Sequence, residues 1–159
     1  MKEIVSGLFV GGSDALEAAQ GMDNVAQLQI CSESFFREMY EDEGIIGQEK
    51  PFVKMMSKMM IKLENYDSPD KFNLEAFVEA VNFIKLKLAV DTTVVITGEM
   101  GRSRAPSIAM LYLAATGRVA NGSFDAAEQE FKAEYYPDYE PKAGLKSFLS
   151  ANWGEICGQ

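Results

Sequence analysis

Apolar residues recur along this chain with two periods, and each period predicts an element. Leu74, Phe77, Val78, Val81, Ile84 and Leu88 stand three or four apart, while Glu75, Glu79, Lys85 and Lys87 fill the remaining positions. That pattern predicts a helix over 71–88 with one face in the core. The run from Thr92 to Thr97 is β-branched throughout, too short for a helix, and predicts a buried parallel strand. Beyond it, Ile108 to Ala115 is apolar and helical in composition, with Pro106 in its first turn and Gly117 placed to end it. Residues 4–12 predict a hairpin or bent strand pair. Ser13 and Asp14 are candidate caps of a short helix ending at Gly21, and Val25 to Cys31 is read as a strand. Ser123 is placed to cap a helix burying Phe124, Ala127 and Phe131. Pro141 opens a last helix burying Leu145, Phe148 and Leu149, with Trp153 closing the core.

The segment 32–58 is less regular. Phe35, Phe36, Met39 and Tyr40 suit one face of a helix. Met55, Met56, Met59 and Met60 are either core filler or an adaptable binding surface, two uses open to a flexible thioether. Tyr135, Tyr136 and Tyr139 are read first as packing of the helical layer and second as a recognition patch. Together the elements predict one α/β domain, a mostly parallel central sheet flanked by helices, over residues 1–153, followed by a tail over 154–159.

Composition narrows the chemistry. With 159 residues, 47% hydrophobic and 25% charged, the chain suits one globular domain. It has no histidine, which removes the commonest metal ligand and general base, and no metal or other cofactor is expected. Two cysteines, Cys31 and Cys157, and no signal-peptide pattern favour an intracellular, cytoplasmic home. A net charge of −9 disfavours nucleic acid and anionic membrane as partners.

Between the β-branched strand and the Pro106 helix lies Gly98-Glu99-Met100-Gly101-Arg102-Ser103-Arg104. A glycine-containing turn that feeds a helix N-terminus collects backbone N–H groups and the positive end of the helix dipole, and so suits an anion. Arg104 adds a planar fork able to hold two phosphate oxygens. The alternative is an ordinary strand-to-helix turn with solvated arginines.

Gly101, Ser103 and Arg104, in this setting, resemble the signature loop of the dual-specificity branch of the protein tyrosine phosphatases. The opening thirty residues, with their Gly7-Leu8-Phe9-Val10-Gly11 run, are also similar. The resemblance implies the phosphatase fold, with backbone N–H groups of Glu99, Met100, Gly101, Arg102, Ser103 and Arg104 and the Arg104 side chain holding phosphate. It places the nucleophilic cysteine at Gly98, the preceding histidine at Thr97 and the following hydroxyl residue at Ala105. Asp67 matches the general acid, with Asp70 as runner-up; either is equally a turn or cap residue.

Glycine cannot form a phosphocysteine. The expectation is therefore a pseudophosphatase, similar at that position to the phosphoserine/threonine/tyrosine-interacting pseudophosphatases, with a phosphorylated protein or other phosphate-bearing ligand as partner. Two alternatives stay open. Gly98 could be a deliberate replacement in an otherwise active phosphatase, or the chain could be an interaction module with no working pocket, using the methionine-rich 55–60 segment or the acidic surface.

Overall fold

The computed structural model describes residues 1–46 and 50–157. Its centre is a six-stranded sheet of β1 (Lys2–Val5), β2 (Leu8–Gly11), β3 (Val25–Cys31), β4 (Phe52–Lys54), β5 (Lys58–Lys62) and β6 (Thr93–Thr97). Spatial order is β1-β2-β6-β3-β5-β4. The inner pairings β2/β6, β6/β3 and β3/β5 are parallel, and the outer pairings β1/β2 and β5/β4 are antiparallel. The expected α/β architecture is present, with a mixed sheet whose parallel part is the inner one. β4 lies just past Pro51, in the stretch where the pattern predicted no strand.

Helices cover both faces. Val94, Ile96, Leu28, Met59 and Ile61 point into the larger core, where they meet α3 (Leu74–Ala89), α4 (Arg104–Ala115), α5 (Phe124–Glu134) and α6 (Ala143–Ala151). Val95 points the other way, onto Ala15 and Ala19 of α1 (Ser13–Gln20). Cys31 and Met60 join Phe36 of α2 (Glu33–Phe36) and Tyr40 of the π-helical turn Arg37–Glu41 that continues it. The two-residue alternation of strand side chains accounts for this division. Burying a side chain such as Phe77 or Ile84 contributes on the order of 1.5–3 kcal/mol each.

Several boundaries differ from the sequence expectation. α3 starts at Leu74 instead of Lys71, because Pro69–Lys71 forms a separate 3₁₀ turn and the Asn73 side chain caps the helix, accepting from Ala76 N–H at 3.0 Å. Asp70 is therefore not the cap. Ser13 lies inside α1, and its N-cap Gly12 has no side-chain cap bond. In the 35–40 stretch only Phe36 and Tyr40 are buried; Phe35 and Met39 stay exposed. Met59 and Met60 are core, whereas Met55 and Met56 are exposed. The boundary at 153 falls too early: Trp153–Cys157 is a final helix, α7, with Ile156 and Cys157 buried. Gly158 and Gln159 lie outside the described residues, as do residues 47–49. Ser123 caps α5 as expected, accepting from Ala126 N–H.

α6 approaches the loop before α3 so closely that only hydrogen fits at Gly144, where an added Cβ would strike the Tyr66 carbonyl and the Asp67 backbone. Gly144→Ala should therefore destabilise the protein by about 1–3 kcal/mol. Gly154, with nothing within 4 Å of such a Cβ, is helical in α7. Gly154→Ala should be neutral or stabilise by up to about 1 kcal/mol. Urea unfolding midpoints of the two variants check the contrast.

Candidate functional site

The strand β6 ends at Thr97, and α4 begins seven residues later at Arg104. The loop between them is fastened from outside through its carbonyl groups. Glu99 C=O accepts from Ser13 N–H at 3.4 Å, and Arg102 C=O from Glu140 N–H at 2.8 Å. Gly101 C=O accepts from the Tyr136 hydroxyl at 2.6 Å. Ser103 C=O accepts from the N–H and hydroxyl of Ser107. A trans peptide is planar, with its C=O and N–H opposed. The N–H groups of Met100, Arg102, Ser103 and Arg104 consequently point away from those four partners. The last of them also belongs to the first turn of α4, whose N–H groups lack intrahelical acceptors.

Gly101 makes the turn possible. Its φ is +70°, and an added Cβ would lie 2.9 Å from Gly12 N and 3.0 Å from the Gly11 carbonyl carbon. Gly98 is different. It is not among the positive-φ residues, and a Cβ there would meet Ala105 Cβ at 3.4 Å and Ile30 Cδ1 at 3.9 Å, ordinary contact distances. A Cβ fits at position 98 without displacing its neighbours. Thr97 and Ala105, which flank the loop, are both buried.

The loop encloses a cavity of about 200 Å³ to which Gly98 through Ala105 all contribute, joined by Asn65, Glu140 and Lys142. Arg104 is the least exposed of its charged side chains that form ion pairs, at 10%. One end of its fork donates to the Leu63 carbonyl at 2.8 Å. The other stands 3.7 Å from the carboxylate of Glu99, a long contact to an 81% exposed side chain, and so a weak one. Arg102 and Met100 are exposed. Ser103 is buried, and its hydroxyl accepts from Lys142 N–H at 3.1 Å, tying the loop to the start of α6. Gly98, Glu99 and Arg104 also border a second cleft of about 310 Å³, walled by Leu16, Ile30, Cys31 and Phe35.

Of the residues anticipated from sequence, Gly98 through Arg104 come together around one cavity. Asp67 is exposed and does not line it; it borders a neighbouring hollow with Glu64, Tyr66 and Lys71. Asp70 is exposed too and accepts from the Ser68 hydroxyl, which holds its carboxyl below the usual range. Neither cysteine is poised as a nucleophile. Burial pushes the Cys31 thiol up to about 11 despite Lys58 nearby, and the Cys157 thiol up to about 12. At neutral pH both are thiols, not thiolates.

Asn65, Glu140 and Lys142 went unanticipated, and Tyr136, read as a packing or recognition residue, was not expected to reach this loop. Pro137 and Pro141 signalled that a helix ends and another begins there, yet nothing local says that this connection lies against a loop some forty residues earlier. Tyr139, by contrast, is the packing residue expected, buried with its hydroxyl on Ser107 at 2.6 Å.

Gly101→Ala should cost about 1–3 kcal/mol through the left-handed backbone and the clash with Gly11–Gly12, whereas Gly98→Ala should stay within about 0.5 kcal/mol of the parent. Thermal or urea denaturation of the two variants measures the difference.

Scans against protein-family models and curated proteins found no match for the sequence. Solved structures do match. DUSP15 superposes with a TM-score of 0.65 at 19% identity, over 96% of this chain and 86% of that one. The human tyrosine phosphatase-like serine/threonine/tyrosine-interacting protein gives 0.65 at 18% identity, over 95% and 93%. Human DUSP28 gives 0.65 at 19% identity, over 99% and 94%. With each of these superpositions covering nearly the whole of this chain, the chain has the dual-specificity phosphatase fold.

Proposed function

We propose that this protein is a pseudophosphatase that binds the phosphate of a phosphorylated protein in the loop over residues 98–104 and does not hydrolyse it. The observation that carries the reading is the outward fastening of four loop carbonyls around a position with no nucleophile. It leaves N–H groups of Met100, Arg102, Ser103 and Arg104 to meet an anion, next to the Arg104 guanidinium. Of the four, Ser103 is buried and Arg104 partly so; a buried N–H left without an acceptor costs about 1–3 kcal/mol, which an anion or water would relieve. At neutral pH neither cysteine is a thiolate that could attack phosphorus.

A second reading keeps the same pocket but an active parent. It is favoured by the ordinary backbone at Gly98 and the space for a side chain there. Thr97 and Ala105 oppose it, since neither supplies the polar help that the family's cysteine receives on either side.

Titration with inorganic phosphate and a phosphotyrosine peptide, followed by thermal unfolding, tests binding. A ligand at a hundred times its dissociation constant adds about 2.7 kcal/mol of stability. The shift should be lost in Arg104→Ala and weakened by salt. No phosphate should be released from p-nitrophenyl phosphate above the Arg104→Ala background. Gly98→Cys should fold normally and recover little turnover; high activity in that variant would establish the second reading. A stability that no phosphorylated ligand shifts would leave the interaction-module alternative.

A further inference from the structure

Among the four outward ties of the loop, three use partners of which at least one is a backbone N–H, and one is made by a side chain alone. That one is the Tyr136 hydroxyl, 2.6 Å from the Gly101 carbonyl. It falls on the peptide that most needs it. Gly101 has no Cβ to restrict its own ψ, so the Gly101–Arg102 peptide rotates more easily than its neighbours. A cavity of about 290 Å³ borders the loop at Met100 and reaches Gly12 and Tyr136. The Gly101 carbonyl itself is held by its hydrogen bond to the Tyr136 hydroxyl.

The tyrosine is itself held firmly. Its ring stacks on Phe131 with centroids 6.0 Å apart and planes at 12°, and Lys2 Nζ lies 5.7 Å from its centroid. Tyr135 stacks on Phe131 in much the same way, at 6.2 Å, but its hydroxyl reaches the Arg118 carbonyl instead. The two neighbours share a packing role, and one alone reaches the loop.

We infer that Tyr136 is a positioning residue for anion binding: its hydroxyl holds the Gly101 carbonyl outward and thereby aims the Arg102 N–H at the bound phosphate. Without the hydroxyl the peptide samples the opposite orientation, which puts a carbonyl oxygen where the phosphate oxygens belong. The inference rests on the phosphate-binding reading.

The test compares Tyr136→Phe with Tyr135→Phe, each of which keeps its ring. Isotope-labelled protein is titrated with inorganic phosphate, and backbone amide and carbonyl resonances are followed by NMR. In the parent and in Tyr135→Phe, the Arg102 amide proton should move downfield on saturation. In Tyr136→Phe that movement should shrink, and the dissociation constant should rise about threefold to tenfold. Before phosphate is added, the Gly101 carbonyl and Arg102 amide of Tyr136→Phe should already be shifted or exchange-broadened. A purely structural role would lower the unfolding midpoint and leave these resonances alone. Equal affinity and an unchanged Arg102 response in Tyr136→Phe would overturn the inference. Absence of phosphate binding by the parent would overturn the phosphate-binding reading instead. The anion-independent resonances then still decide the orientation, and unchanged Gly101 and Arg102 signals would refute the role given to Tyr136.

Discussion

A helix that is apolar on every side has to be enclosed on every side. α4 is such a helix: every residue from Ala105 to Leu113 is buried, as is Ala114. The inner strands cover one flank, α3 and α7 another, and α5 a third. It comes near solvent at its two ends, Arg104 and Ala115, which are partly exposed, while everything between is sealed. The remaining architecture is arranged to bury this one segment, and at its start the helix presents N–H groups outward. A loop that delivers β6 to that point has little choice of path, and the left-handed Gly101 pressed against Gly11 and Gly12 shows how narrow the path is.

The packing of α4 therefore sets the shape of the loop independently of the side chain at position 98. Gly101 packs against the end of β2, Ser103 ties the loop to the start of α6, and the carbonyl ties of Glu99, Gly101 and Arg102 reach α1 and the α5–α6 connection, so the path of the loop is set by its neighbours. Position 98 joins these contacts through its backbone alone, its N–H donating to the Gly11 carbonyl at 3.1 Å. A Cβ there has room, so folding does not dictate which small residue stands at 98. An obligatory glycine and an optional one lie three residues apart in this loop.

Much of this was legible in the sequence, for identifiable reasons. Strong local periodicity marked α3 and β6, and Ser123 marked the start of α5, because these signals act over a few residues. The loop was legible because glycine, arginine and a helix-starting proline each carry a specific backbone or charge requirement. Misjudgements arose where distant contacts decide. Asn73 competes with Asp70 for the helix cap, and only the 3₁₀ turn at Pro69 settles it. Ile156 and Cys157 look like an ending until α3 and α4 are seen beside them. Asp67 stands at a fitting separation along the chain, but the close approach of Gly144 to the Tyr66–Asp67 backbone shapes that loop, and Asn65 borders the cavity instead.

The sheet's two borders bear on how any macromolecule could engage this fold. β1 has four residues and an irregular register between Glu3 and Val5; β4 has three and ends in Lys54. Edges this short, one broken in register and each carrying a lysine, are poor templates for another strand. Recognition by strand addition, which draws its affinity from main-chain ladders, is accordingly closed at both borders. A bound polypeptide has to be gripped through its side chains, and a grip of that kind reads individual chemical groups instead of backbone shape.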